Sequence, residues 1–400
     1  MTARALPVPA ESTAATADSA AAAPRPARRE VMPATAPVAM VWEGPGLPLR
    51  ETAVPGVALA PDEALVALDY ATVCGSDVHT VRGDRHADTP LVLGHEQVGR
   101  IIAAGEDARR ADGTPLRLGD RVVWSVSVSC GTCDRCRRGI PQMCRRLLKY
   151  GHERMLRGWE LNGGFATHVH LRSGTAIVSV PDALPNTVAA PAACSGATAV
   201  AALDAVAGVV PIEGNLVVVL GAGMVGLTAA AMAAERGATV VVTDPIPARR
   251  ERALRFGAAA VADPFAAASA PTGIGAALEA AGAGREPVAV IEASGSAAAV
   301  RSALRVVATG GVVVLAGTVS PVGSVPLDPE SVVRKLVTVR GVHNYAPRQL
   351  QEAVDTLSRL WLRHPFAELV SASYPLNRLG DALAHAARAT EVRVGVDPRG

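Results

Sequence analysis

Cys130, Cys133, Cys136 and Cys144 occur in the run CGTCDRCRRGIPQMC, spaced C-x2-C-x2-C-x7-C. Four thiolates at that spacing can wrap one tetrahedral zinc, and zinc held by four thiolates keeps no open position, so such a site braces a loop and leaves the chemistry to other residues. Two disulfides are the competing reading. Against it, the chain has six cysteines in 400 residues, shows no secretory signal and is long enough to build a core without staples.

The two other cysteines lie far apart, Cys74 in ATVCGSDVHTVRGD and Cys194 in AAPAACSGATAV, each among polar residues that a plain core would not contain. His95 and Glu96, in LVLGHEQVG, add an imidazole and a carboxylate. Cys74, His95 and Cys194 would make a three-ligand zinc site with one open position, the arrangement that a catalytic zinc needs. A lone cysteine is ordinarily a buried thiol, and a lone histidine is usually structural or exposed. Spacing alone does not assemble these three.

A third constellation is Gly221-Ala222-Gly223-Met224-Val225-Gly226, set between the apolar run LVVVL and the helical stretch LTAAAMAAERG. In that context Gly221 permits a tight turn, Gly223 lets backbone approach a pyrophosphate, and Gly226 lets helix pack on strand, while the helix N-terminus offers unpaired N–H groups. Asp244, at the end of the next apolar run, can accept hydrogen bonds from both adenosine ribose hydroxyls and would repel an added phosphate, which argues for NAD over NADP. Arg249 and Arg250 nearby argue the other way. A glycine turn that holds no nucleotide is the competing reading.

These groups need elements to carry them. From Val38 to about Pro191 the signals are short β-rich runs, EALVALDYATV, VLGHEQVGRIIAAG and DRVVWSVSVS, broken by Gly, Pro and Asp, which predicts a compact β-barrel. From about Val188, Ala-rich helical stretches alternate with solid apolar strands, LVVVL, TVVVTD, VAVIEAS, GGVVVLAG and VTVRGV, which predicts a parallel sheet covered on both faces. Residues 346–400 hold a helical stretch, PRQLQEAVDTLSRLW, then short strand-like pieces. Residues 1–37, rich in Ala, Pro, Ser and Thr, read as a disordered tail, and Glu106 to Gly119 as a polar turn. With 39 Lys and Arg against 37 Asp and Glu, the net charge of +2 gives no field for nucleic acid or a membrane surface. The apolar stretch from Val306 to Thr318 is interrupted by glycine and falls short of the roughly twenty residues that span a bilayer. Reduced cysteines fit a cytoplasmic protein.

Over essentially everything after residue 38 the sequence resembles the zinc-dependent medium-chain alcohol dehydrogenases, through CGSDVH, GHEQVG, the four-cysteine lobe and VLGAGMVG, in that order. The resemblance implies an α/β protein with a GroES-like β-barrel catalytic domain over 38–194, holding a structural zinc lobe at 130–144. A Rossmann coenzyme domain, a doubly wound parallel sheet, would follow over 195–345, and 346–400 would return to the catalytic domain. It implies two zinc ions per chain, NAD, a small alcohol or carbonyl substrate, and a homodimer or homotetramer. It assigns Cys74, His95 and Cys194 to the catalytic zinc, with Glu96 as an alternative ligand during exchange. The thiolate at Cys194, where polyol-type relatives tend to carry glutamate, favours alcohol dehydrogenases. Asp77 resembles a carboxylate that orients the zinc histidine. Met224 and Val225 lie in the coenzyme turn, Thr198 matches a position that packs on the nicotinamide, and Arg393, in TEVRVGV, resembles a pyrophosphate contact. With the metal acidifying an alcohol hydroxyl, Ser76 is placed to take the proton and His79 to pass it through the cofactor ribose to solvent.

Substrate choice is thinly written. Trp124 and Val126 are candidates for the pocket wall or for barrel core. WSVSVSCGTCDRC, KYGHER, LNGGFATHV, PAACSGATA and GVHNYAP resemble the subgroup associated with phosphonate breakdown, which implies an anionic alcohol or aldehyde met by a cation such as Arg82 or His152. The basic run Arg135, Arg137, Arg138, Arg145 and Arg146 is read as solvating the zinc lobe. The alternatives are a hydrophobic cyclic or terpenoid alcohol, as in hydroxycamphor-type relatives, or a non-catalytic protein that binds NAD and zinc. A zinc-free quinone reductase would lack both cysteine sets.

Overall fold

The computed structural model describes residues 27–267, 269–282, 284–388 and 391–400. Strand Ala64–Val73 is the hub of an eight-stranded sheet, because its apolar residues are buried on both faces along most of its length. It pairs antiparallel with Glu96–Ala104, His168–Leu171 and Arg393–Asp397. Beyond Glu96–Ala104 the sheet continues through Arg121–Val128 to Thr175–Ser179. A three-stranded sheet of Arg50–Ala53, Val38–Trp42 and Leu91–Val92 completes the barrel. Val370–Pro375 lies parallel to Arg393–Asp397, so the last segment of the chain is woven into the catalytic sheet.

The second sheet has six strands, all parallel, in the order Ala260–Ala262, Thr239–Thr243, Leu216–Leu220, Ala289–Glu292, Val312–Leu315, Thr338–Gly341. That order reverses direction at Leu216–Leu220, the switch point where doubly wound sheets bind nucleotides. Every residue of Leu216–Leu220 is buried, as expected for a strand covered on both faces. Helix Ser195–Ala207 packs on Met224–Glu235 and on Pro347–Leu360, and one apolar core runs from these helices into the barrel.

The tail ends earlier than expected. Arg29–Val31 pairs with Val57–Leu59, and the Arg28 guanidinium donates to the Ala58 carbonyl at 2.8 Å and to Glu63 at 3.0 Å, so residues 27–37 belong to the fold. Two main-chain and side-chain contacts therefore hold a stretch whose composition alone suggested disorder; the rest of that expected tail, residues 1–26, lies outside the described residues. Among the described residues no single helix is long and apolar enough to cross a membrane. Asn186–Ala193 and Ser195–Ala207 pass that test only as a pair bent by 54°, and most of their side chains are buried in the core.

Candidate active site

Cys74 ends the hub strand and starts helix Gly75–Arg82. The Asp77 carboxylate accepts the Cys74 N–H at 2.9 Å and the Gly94 N–H at 3.3 Å, so one side chain pins the two loops that carry Cys74 and His95. The antiparallel register Thr72↔Glu96 then sets His95 beside Cys74. Cys194 arrives from the other side, between the turn Ala190–Ala193 and helix Ser195–Ala207. One ligand atom from each of Cys74, His95, Glu96 and Cys194 falls within 4.8 Å of all the others, and the two sulfurs are 3.9 Å apart. A tetrahedral zinc with Zn–S of about 2.3 Å needs sulfurs about 3.8 Å apart, so the donor set fits that ion.

His95 is buried, with Nε2 3.4 Å from Ser76 Oγ and Nδ1 3.5 Å from Asp77 Oδ1. Nδ1 makes no hydrogen bond, so Asp77 acts on His95 through charge and on the two loops through their N–H groups. Burial opposes protonation of His95, but Asp77 and Cys74 outweigh it and hold its pKa well above the ordinary value. A hydrogen bond from the Cys194 thiol, with help from Arg393, holds Cys74 well below the usual thiol range despite burial, and the same contact pushes Cys194 up. Burial raises Glu96, whose carboxylate accepts from Thr72 Oγ1 at 2.6 Å.

Arg393 stands at this cluster. Its Nε and Nη2 lie 2.9 and 3.0 Å from the two Glu96 oxygens, and Nη2 lies 3.7 Å from Cys74 Sγ. The cause is register, since Val394 pairs with Val73 on the hub strand. His79 sits one helical turn beyond Ser76, exposed, with Nδ1 3.2 Å from Asp84. Thr198, half-buried, lies in the first turn of the helix that follows Cys194.

The second cluster is the lobe. Sulfurs of Cys130, Cys133, Cys136 and Cys144 approach to 3.4–4.0 Å, near a tetrahedron's edge and far beyond the roughly 2.05 Å of a disulfide. The Thr132 N–H and the Arg146 guanidinium lower Cys130 to about 5, and the Arg145 and Cys136 N–H groups lower Cys133 to about 7. Burial and the neighbouring thiols push Cys136 to about 12; a bound cation would favour all four thiolates. Part of the basic run serves the lobe directly: Arg145 pairs with Asp134, Arg135 donates to the Met143 carbonyl, and Arg146 donates to Thr132.

At the glycine turn, Gly221 has φ +106°, and a Cβ on Gly226 would lie 1.8 Å from the Gly221 carbonyl oxygen. A Cβ on Gly223 would meet nothing within 4 Å, so the protein leaves that position open for a ligand. Gly223 caps helix Met224–Glu235, whose first residues, Met224 and Val225, present N–H groups there. Asp244 is buried; its carboxylate accepts the Ala222 and Ile246 N–H groups, both at 2.9 Å, which ties it to the turn. Arg250 donates to the Asp244 carbonyl and approaches Asp263, so its guanidinium is engaged.

The four pocket candidates take different places. Trp124 is fully buried among Val66, Leu68, Tyr150 and Trp159 and is barrel core, and Val126 is core on the interdomain side. Arg82 donates to the Ala387 carbonyl and lines a separate cavity of about 480 Å³, with Trp42, Val78 and Leu383. His152 does reach the site, its ring 4.6 Å from that of His95, but burial lowers its pKa well below the ordinary value, with the His95 and Arg85 charges adding to the effect. It is no cation. Thr72 and Tyr345 lie within the quoted stretches ATVCGSDVHTVRGD and GVHNYAP, but nothing in their type or spacing marks a role; the Tyr345 hydroxyl donates to the Ala193 carbonyl and accepts the Val126 N–H.

A barrel and a doubly wound sheet meeting at a three-ligand metal site, beside a coenzyme turn, define a zinc- and nucleotide-dependent dehydrogenase. Residues 60–182 match the alcohol dehydrogenase GroES-like domain and residues 224–359 match the zinc-binding dehydrogenase domain. The chain is 30% identical to an L-threonine 3-dehydrogenase of Deinococcus deserti, over 74% of this chain and 80% of that one. It is also 30% identical to the 5-exo-hydroxycamphor dehydrogenase of Pseudomonas putida, over 81% and 88%. An alcohol dehydrogenase structure from Thermotoga maritima superposes with a TM-score of 0.84 at 28% identity, covering 91% of this chain and 99% of that one. The chain belongs to the zinc-dependent medium-chain alcohol dehydrogenase family, oxidoreductases acting on CH–OH groups.

Proposed function

We propose that this chain oxidises a small alcohol, or reduces the matching aldehyde or ketone, at Cys74, His95 and Cys194, with a structural zinc at Cys130, Cys133, Cys136 and Cys144. The observation that carries the reading is the convergence of three side chains distant in sequence to within 4.8 Å beside the coenzyme domain. Cys74, His95 and Cys194 would hold a zinc ion, which would supply Lewis acidity to an alcohol hydroxyl or a carbonyl. NAD at the glycine turn supplies the hydride acceptor. Ser76, 3.4 Å from His95 Nε2, receives the hydroxyl proton through its Oγ. His79 carries the proton outward, its exposed ring steadied by Asp84, and releases it to solvent. With NAD bound, Thr198 would pack on the nicotinamide and Arg393 would contact the pyrophosphate. Glu96 replaces a ligand during exchange.

NAD is preferred over NADP because Asp244 would repel an added phosphate and Arg250 is engaged elsewhere. We place the chain in the subgroup associated with phosphonate breakdown, on the sequence stretches quoted above. The chain assembles as a homodimer or homotetramer: exposed Val333, Leu336 and Val339 adjoin the open edge strand Thr338–Gly341. Its thiol ligands suit the cytoplasm. A terpenoid or cyclic alcohol is the second reading, favoured by the similarity to the hydroxycamphor enzyme. Zinc-loaded protein should reduce NAD, read as NADH absorbance, with a panel of hydroxyalkylphosphonates, hydroxy acids, cyclic alcohols and simple alcohols. Inactivity across that panel at full metal occupancy would make it a binding protein instead.

A further inference from the structure

Beside the metal cluster lie charges that the reaction does not use. Lys149 ends the short strand Leu148–Lys149, three residues before His152, whose ring packs on His95. Its Nζ is 3.1 Å from His343 Nε2, and His343 follows the last strand of the coenzyme sheet, so this contact crosses from one domain to the other. Arg85 comes just after the helix that carries Ser76, its N–H donating to the His79 carbonyl at 3.2 Å. The His152 ring contact with His95 and the Lys149 contact with His343 fix this region beside the metal cluster, and the Arg85 charge is felt at Lys149, His152 and His343.

These cations lack counter-ions. Among the described residues no carboxylate comes within ion-pair distance of Lys149 or Arg85, and the Arg85 guanidinium makes no hydrogen bond. Glu153 is the nearby acid; its carboxylate accepts the Lys149 backbone N–H at 3.1 Å and does not pair with the ammonium. Asp84 is taken by His79. Burial and the Arg85 charge lower the Lys149 pKa, against the opposing pull of Glu153. Lys149 keeps only the neutral contact with His343, and two half-buried like charges without an ion pair cost stability that a ligand anion would relieve.

We propose that Arg85 and Lys149, with His343 closing from the coenzyme domain, seat an anionic group of the substrate, so that the alcohol oxidised here carries a phosphonate or carboxylate. The proposal rests on the dehydrogenase reading for the reacting hydroxyl only. The guanidinium offers a planar fork to two oxygens and the ammonium a point charge to a third, which suits a phosphonate better than a carboxylate.

The first test is calorimetric, on zinc-loaded protein titrated with ethylphosphonate or propionate, neither of which can be oxidised at a hydroxyl. Binding is expected, weakened at least about tenfold in Arg85→Gln and in Lys149→Met, and weakened by salt. The second test compares hydroxyethylphosphonate with butanol. The ratio of their kcat/KM values should fall at least about tenfold in either variant, mainly through KM. Thermal melts check that both variants fold. If neither anion binds the wild type, or both bind the variants equally well, the anion seat is wrong even where butanol is oxidised. If the anions bind through these residues but no alcohol reduces NAD, the seat stands and the dehydrogenase reading fails.

Discussion

At the scale of single residues, each ligand's value depends on a neighbour that keeps it charged. Cys194→Ala removes one sulfur from a cluster whose members all lie within 4.8 Å, and it leaves the lobe untouched. Metal analysis should then give one zinc per chain where the wild type gives two, with turnover at background. Loss of both metals together would contradict two independent sites. Arg393 is subtler, because it touches Glu96 and Cys74 yet donates no ligand atom. Arg393→Met leaves a buried carboxylate with only the Thr72 hydroxyl, a loss of about 3 kcal/mol by analogy with other broken buried pairs. Chelator competition should show catalytic zinc held about 10–100-fold more weakly, with the lobe zinc unchanged.

At the scale of elements, two glycines three residues apart, Gly223 and Gly226, separate folding from binding. Gly226→Ala drives a Cβ to 1.8 Å from the Gly221 carbonyl and should cost about 1–3 kcal/mol, lowering the melting temperature. Gly223→Ala meets no protein atom within 4 Å, so its melting temperature should stay near wild type while NADH affinity, read by fluorescence, falls roughly tenfold. The strand, turn and helix around these glycines were legible because apolar runs and glycine spacing are local properties. The four-cysteine lobe was legible for the same reason. The contacts of Arg393 with Glu96 and Cys74, and of Lys149 with His343, were not, because they follow from strand register and from domains meeting, which no local pattern encodes. Residues 28–31 were misjudged for a like reason: their order comes from the pairing of 29–31 with 57–59 and from the Arg28 contact with Glu63, not from composition. Glu63 also makes a pH prediction. Burial raises its pKa, but hydrogen bonds from His170 and the Ala60 N–H, with the Arg172 charge, bring it to about 2 from 4.5. A depressed carboxylate contributes stability that is complete above the unfolded value and lost as pH falls through the folded one. The gap in melting temperature between wild type and Glu63→Gln should therefore be full at neutral pH, narrow below about 4.5 and close near 2.

At the scale of the whole molecule, the site exists only where three stretches of chain meet: the hub strand with its helix, the turn before Cys194, and the C-terminal return. Tyr345 couples the second of these to the coenzyme domain. It follows the parallel sheet, yet its hydroxyl donates to the carbonyl preceding Cys194 and accepts an N–H from Val126 of the barrel. Tyr345→Phe leaves both backbone groups buried without a partner, at about 1–3 kcal/mol, and frees the turn that aims Cys194. If the domains share the site through this hydroxyl, the variant should melt lower and release catalytic zinc to a chelator faster, while the lobe keeps its metal. NADH affinity should stay close to wild type, because the glycine turn and Asp244 are built within the coenzyme sheet alone. Unchanged zinc release alongside a lowered melting temperature would make Tyr345 a packing residue and leave the aim of Cys194 to the helix it caps.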